Sequence, residues 1–352
     1  MNRVTRSVWR QRPLSLSSRC AALVALSLAS TASCYPSTLG SSSSVAASTW
    51  TSGGSPFTTC ASDIPGHNQA QRKSLLASFS TSSDNDTTMT TTTDNKSSLT
   101  VVQLPCLSDN YGYLLHDESS GATAAIDTPD AKPYLTELQR RQWTLTHIFN
   151  THHHWDHTGG NQELIEAYKD VAVVGPANEK IPGRTTAVNG GDEVNFGSTK
   201  AQVLDVGGHT KGHVAYHFAN EHKVFVGDAL FALGCGKMFE GTPTQFWDSL
   251  QRLRALDDDT LVYCAHEYTA SNAKFAASVE PNNDLLMKRV QEIQQLRKDG
   301  KPTVPSLLGV EKQTNPFLRC DISPEIRSNV GVVESDSDAQ AFAKVRSAKD
   351  NF

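Results

Sequence analysis

The chain of 352 residues contains no CxxC pair, and its seven cysteines, at positions 20, 34, 60, 106, 235, 264 and 320, form no dense framework. That spacing excludes a disulfide-stapled scaffold and suits a reducing compartment in which the folded thiols stay free. Cys264, in the apolar run of residues 261–264, reads as a small core residue. Long hydrophobic runs are missing too: the longest, around residues 21–29, is far shorter than the roughly 20 residues a membrane-spanning helix needs. Nor is there an excess of positive charge; the formal net charge is -5, so no field implies a nucleic-acid partner. What remains, at this length and with 38% hydrophobic residues, is one or two soluble globular domains.

Acidic residues are absent from residues 1–62, while Arg3, Arg6, Arg10, Arg12 and Arg19 are spread through Ser- and Ala-rich sequence. Arginine-rich, serine-rich and acid-poor is the signature of an organelle transit peptide, and mitochondrial import is the expected route. The stretch AALVALSLASTAS leaves a secretory or plastid route as the alternative, on which the sequons at Asn85 and Asn95 would count. Residues 79–99 are a Ser/Thr/Asp/Asn tract with almost nothing to bury, which predicts a disordered linker. Folded sequence is expected from about Thr100.

From there, alternation in LTVVQLP, YGYLLH and ATAAIDT predicts strands, and AKPYLTELQRRQW predicts a helix burying Tyr134, Leu135 and Leu138. TLTHIFN is a strand, GGNQELIEAYK a helix, VAVVGP a buried strand, and DEVNFGSTKAQVLDVGG a hairpin turning at Gly197. VAYHFA, KVFVGDALF and TLVYCAHEY are further strands around an amphipathic helix carrying Phe246, Leu250 and Leu253. This mixture favours an α/β arrangement of sheets flanked by helices over a doubly wound parallel sheet. Beyond Thr269 only helices are expected, one with the stripe Leu286, Val290, Ile293 and Leu296 that Gly300 and Pro302 terminate. This tail is a second, smaller domain or an appended layer.

Residues 151–157 read THHHWDH, four histidines and an aspartate within six positions. Packing alone rarely gathers so many imidazoles, which are costly to bury without a partner. In an extended segment His152, His154 and Asp156 point one way while His153 and Trp155 point the other. His157, where the chain turns into a helix at Gly159, approaches the same space from a new direction. Imidazole and carboxylate are borderline ligands for Zn²⁺ or Fe²⁺, and four donors cannot complete two sites. His209, Asp228 and His266, each placed after an apolar strand, bring the number to seven, and a shared Asp228 gives each of two ions four. Singly, His209 or His266 reads as a structural histidine and Asp228 as a turn residue; the HxHxDH pattern reverses that. His153, His213, His217 and His222 are left outside the set, with His153 the first of them to matter.

The sequence resembles the metallo-β-lactamase superfamily and, within it, the glyoxalase II or hydroxyacylglutathione hydrolase family. LSDNYGYLL, THHHWDHTGGN, GGHTKGH, GDALF, GCGKMFEGTP, YCAHEYT and NPFLR carry the resemblance, in family order from about residue 100 to the end. HxHxDH marks only the superfamily; GCGKMFEGTP, HEYT and NPFLR are more specific. The resemblance implies an αββα sandwich over residues 100–269, a C-terminal α-helical, glutathione-binding domain over 270–352, and a targeting peptide with linker before them. It implies one ion on His152, His154 and His209, a second on Asp156, His157 and His266, and Asp228 bridging both. It places Lys237, Tyr268 and Arg319 around glutathione, with Lys237 and Arg319 on the glycine carboxylate and Tyr268 near the cysteinyl part. Two departures stand out: Phe239 where some members have tyrosine, and Cys320, Asp321 and Ile322 where some have another basic residue, a loss for which Arg327 is the candidate to compensate.

A water shared by two divalent ions is acidified enough to act at neutral pH, which fits hydrolysis of an ester-like carbonyl, with Asp156 and Asp228 as the carboxylates of the catalytic centre. The family's substrate is S-D-lactoylglutathione, cleaved to D-lactate and glutathione in methylglyoxal detoxification. Zinc is the first choice of metal, with iron or manganese alternatives, and the protein is expected to act as a monomer. Competing readings are a persulfide dioxygenase with a single iron and a catalytically silent binding protein.

Overall fold

The computed structural model describes residues 99–352, so the segments expected to be a targeting leader and, almost entirely, a disordered linker lie outside the described residues. The described residues belong to one compact unit.

The first sheet runs in the order β1 (Leu99–Cys106), β2 (Asn110–Asp117), β3 (Thr123–Ile126), β4 (His147–Phe149), β5 (Ala172–Pro176) and β6 (Thr186–Val188), antiparallel through β3 and parallel after it. The change of direction follows the connections: a tight turn can only reverse the chain, whereas α1 (Ala131–Arg141) carries it back over the sheet. The second sheet contains β7 (Glu193–Phe196), β8 (Thr199–Asp205), β9 (Val214–Phe218) and β10 (Lys223–Gly227) as an antiparallel meander. After a small hairpin, β11 (Leu230–Phe231) with β12 (Gly234–Cys235), β13 (Leu261–Cys264) joins parallel to β10 and β14 (Ser306–Leu307) closes the edge. The mixed sheets agree with the sequence-based preference against a doubly wound fold.

Strand alternation sorts side chains between two cores. Tyr113 and Leu115 of β2, Ile126 of β3, Phe149 of β4 and Val174 of β5 face the second sheet, where Phe196, Val203, Tyr216 and Phe225 meet them. Leu114, Ala125, Ile148 and Val173, one position out of step, face outward onto Tyr134 and Leu138 of α1 and Leu164 of α3 (Asn161–Ala167). α1 is capped by Asp130, whose carboxylate accepts the Lys132 N–H at 3.1 Å. Leu135, placed on its buried face by spacing, is only half-buried.

Over the second sheet α4 (Pro243–Arg254) buries Phe246, Leu250 and Leu253, as its spacing predicted. The tail supplies α5 (Thr269–Val279), α6 (Asp284–Lys298), α7 (Leu308–Thr314), α8 (Pro324–Asn329) and α9 (Asp338–Asp350). Phe275, Phe317, Phe342 and Val345 of this tail continue the same core as Leu230 and Phe246, and β14 pairs with β13, so the tail is an added layer on the sandwich. Leu286, Val290 and Ile293 pack a smaller cluster with Leu233, while Leu296 of the expected stripe is only half-buried.

Candidate metal centre

The centre lies where the connections of both sheets end. After β4 the chain is pinned by Asp127, at the end of β3: its carboxylate accepts the Thr151 N–H at 2.8 Å and the Thr151 hydroxyl at 2.9 Å. Four residues on, the backbone coils into α2 (Trp155–Thr158), itself four residues before the expected start at Gly159. Asp156 and His157 therefore arrive by helical rotation rather than by the alternation of an extended strand. The outward turn of Trp155, 69% exposed, agrees with that alternation. Asp228 follows Gly227, whose φ of +50° and crowding against Thr151 and His213 leave no room for a Cβ.

All seven expected donors meet here. Donor atoms of His152, His154 and His209 form one compact triad and those of Asp156, His157 and His266 another, within 4.8 Å of one another in each. Asp228 stands between them: Oδ2 is 3.4 Å from His209 Nε2, while Oδ1 is 3.4 Å from both His157 Nε2 and His266 Nε2. Asp156 Oδ2 lies 3.7 Å from His157 Nε2 and 3.5 Å from His266 Nε2. Ligands about 2.0–2.1 Å from a tetrahedral ion stand roughly 3.3 Å apart, so the spacing is that of a coordination sphere.

The proton inventory makes the same point. His157 Nδ1 is 2.8 Å from Asp127 Oδ2, His266 Nδ1 2.8 Å from Asp109 Oδ1, and His209 Nδ1 2.7 Å from the Lys237 carbonyl. Each Nδ1 must donate, which leaves Nε2 as the inward-facing atom and, in the neutral form, the one that carries the lone pair. His152 Nδ1 meets the Thr151 hydroxyl at 3.1 Å, and that hydroxyl already donates to Asp127, so His152 too presents a lone pair. His154 Nδ1 lies 3.0 Å from both His152 Nε2 and His209 Nε2, and its one available proton cannot serve two acceptors. Buried His157 Nε2 and Asp228 Oδ1 have no hydrogen-bond partner. A cation resolves all of these at once, and the residues fit divalent metal.

Charge supports the fit. Burial, together with neighbouring imidazoles, keeps His152 and His154 below the ordinary histidine pKa, and burial, outweighing Asp228, does the same for His209; all three stay neutral, the ligand form. Burial opposes a proton on His157, but Asp228 and Asp127 outweigh it and raise its pKa to about 9. The centre thus recruits positive charge even without an ion.

Around the donors, His213 accepts the Asp228 N–H at 3.2 Å and stacks on His152, so this histidine outside the set orients the bridging carboxylate. His217 lies buried on β9, and His222, exposed, faces Asp259. Tyr268 stacks on His266, with ring centroids 4.7 Å apart, and is 39% exposed. Phe239, 61% exposed, overhangs His154 and His209, and the Lys237 ammonium lies 5.7 Å from its ring centroid.

Arg319 is placed differently from the expectation. Its guanidinium grips the buried carboxylate of Glu280, at 2.8 Å from Nη2 and 3.0 Å from Nε, so its donors are spent inside the helical layer. Arg327, the proposed substitute, donates to the Cys320 carbonyl at 3.2 Å. The cations that do flank Lys237 and Tyr268 come from the last turns of α9. Arg346 is buried against the Cys235 and Gly236 carbonyls, and Lys349 lies 3.3 Å from the Ser271 carbonyl, one turn beyond Tyr268. Sequence reasoning missed both, although an arginine four residues after Phe342 on the buried stripe of the closing helix was a signal. It also missed Asp109 and Asp127.

The hydroxyacylglutathione hydrolase C-terminus model matches residues 267–352, and the metallo-beta-lactamase superfamily model residues 117–266. A hydroxyacylglutathione hydrolase from Erythrobacter litoralis is 52% identical over 254 residues, 72% of this chain and 100% of the relative, and one from Hyphomonas neptunium is 51% identical over 72% and 98%. The chain belongs to the hydroxyacylglutathione hydrolase family. Among solved structures, a metallo-beta-lactamase from Staphylococcus aureus superposes with a TM-score of 0.51 at 19% identity, covering 72% of this chain and 71% of the other, a likeness of fold. As a hydroxyacylglutathione hydrolase the chain has the metallo-β-lactamase sandwich followed by the family's helical layer. Among the described residues no helix is long and apolar enough to cross a membrane.

Proposed function

We propose that the protein hydrolyses S-D-lactoylglutathione to D-lactate and glutathione at a centre of two divalent ions, zinc first among the candidates, held by the seven donors. The observation that carries the reading is Asp228, with one oxygen turned to each triad. Such ions supply a Lewis acid for the thioester carbonyl and acidify water toward neutral pH. The chain's own residues do the rest. Asp156 and Asp228 balance the charge and fix the donors, while Phe239 shields His154 and His209 from bulk solvent. Lys237 and Lys349 offer cations for the glutathione carboxylates, and the Tyr268 hydroxyl a donor. Among the described residues no cysteine near the centre competes as nucleophile: burial pushes the thiols of Cys235 and Cys264 up to about 11 and about 12.

Loss of thioester absorbance with purified protein tests the reading; absence of turnover in zinc-, iron- and manganese-loaded samples refutes it. The completeness of the second triad favours hydrolysis over a one-iron dioxygenase, which oxygen uptake on glutathione persulfide would reveal. We also propose that residues 1–62 direct mitochondrial import, to be tested by the location of a leader–fluorescent protein fusion, and that the enzyme is a monomer, to be tested by its mass in solution.

A further inference from the structure

We propose that Glu179, in the turn between β5 and β6, is a positioning residue that holds the first triad in shape. Its side chain is 3% exposed, and its carboxylate serves both loops that carry that triad. Oε2 accepts the His153 N–H at 2.7 Å and lies 3.0 Å from His153 Nδ1, between His152 and His154. Oε1 accepts the Thr210 hydroxyl at 2.5 Å and the Gly212 N–H at 3.0 Å, directly after His209. Three residues that supply no donor atom are thus fastened to one buried anion, and the histidines beside them are fixed as a consequence. The turn is itself braced, since Arg184 Nη1 donates to the Glu179 carbonyl at 2.7 Å.

The network continues outward. His153 Nε2 stands 3.6 Å from Glu240 Oε1, and Glu240 Oε2 accepts the Lys211 N–H at 3.0 Å. Glu240 follows Phe239, which covers His154 and His209. His153 therefore links the inner carboxylate to the loop that roofs the first triad, which gives the one histidine of THHHWDH that turns away from the donors a task. Among the described residues no single carboxylate ties together the loops that carry the second triad: the rings of His157 and His266 rest on Asp127 and Asp109, and the Asn110 amide donates to the Asp156 carbonyl and Oδ2 at 3.2 Å.

The inference rests on the two-ion reading, and its test separates the two. Glu179→Gln keeps the size but sets an NH₂ group against the backbone N–H of His153 in one orientation and of Gly212 in the other. Zinc per chain is measured after dialysis against graded chelator, together with kcat and KM. Wild type is expected to keep two ions; Glu179→Gln should keep one, with its weaker site bound about 10–100-fold less tightly. kcat should fall, KM should hold, and excess zinc should restore kcat. Adding His209→Ala should leave the one-ion count unchanged, whereas adding His266→Ala should lower it. Thr210→Val, a milder lesion, covers the case in which Glu179→Gln fails to fold and should weaken the same site. If wild type binds fewer than two ions, the two-ion reading is wrong. If wild type binds two and the variants keep both, or lose both equally, Glu179 is not a positioning residue for this triad.

Discussion

The two triads have similar spacing but are held in different ways. In the second, both histidines give their Nδ1 protons to carboxylates, Asp127 for His157 and Asp109 for His266, and a further carboxylate, Asp156, is itself a donor. In the first, His209 leans on a backbone carbonyl and His152 on a hydroxyl, and the Glu179 carboxylate nearby grips the loops rather than the triad's rings. A carboxylate behind an imidazole raises its basicity and adds negative charge near the ion, whereas a neutral acceptor only orients the ring. The second site should therefore hold its ion more tightly, and the first should depend on the shape of its loops.

Asp228→Ala should erase the comparison altogether: both ions should be lost and hydrolysis should fall to background, as metal analysis and turnover would show. Next in size, Asp109→Asn should weaken the second site about 10–100-fold and bring it down to the first, measured by chelator competition. Lys349→Ala should act on neither triad; KM should rise about tenfold through the loss of one charged contact while ion content stays at the wild-type value.

Arg319→Ala should have the least effect on the centre, with ions, kcat and KM unchanged. Its consequence is for stability. Glu280 is held below the ordinary carboxylate range: burial raises its pKa, but hydrogen bonds from Arg319, Ser323 and Asn283 outweigh it. A depressed folded pKa contributes stability that is present above the unfolded value of 4.5 and is lost as pH falls through the folded one. Removing Arg319 should cost on the order of 3 kcal/mol near neutral pH and flatten that acid slope, as denaturant unfolding at several pH values would show. A raised KM with unchanged stability would return Arg319 to the substrate site.

Arg319 also shows where sequence reading ran out. By resemblance NPFLR reads as a substrate motif, yet Asn315 spends its amide on the Phe231 and Gly234 carbonyls at 3.1 and 3.0 Å, bracing from beneath the loop that leads to Lys237. A motif can thus be specific because it is structural. The seven candidate donors that the fold brings together were legible because each follows an apolar strand and because four of them crowd one short stretch, where no packing explanation competes. Asp109, Asp127 and Glu179 were not, because a turn aspartate and a loop glutamate look ordinary until folding brings them to partners 24 to 157 residues away. The strands and long helices were read from alternation and helical spacing; α2, α7, α8, β6, β12 and β14 were missed because elements so short show less than two turns or pleats of pattern. The tail was legible as helix, but its sharing of the sandwich core depends on long-range contacts that no local period records.

The most direct measurement is a zinc titration of the ion-free protein in which bound metal and thioester hydrolysis are followed together. Two ions per chain should bind in separable steps, the tighter one being insensitive to Glu179→Gln, with full hydrolysis of S-D-lactoylglutathione reached only when the second step is complete. Saturation at a single ion, or two bound ions with no hydrolysis, would contradict the account.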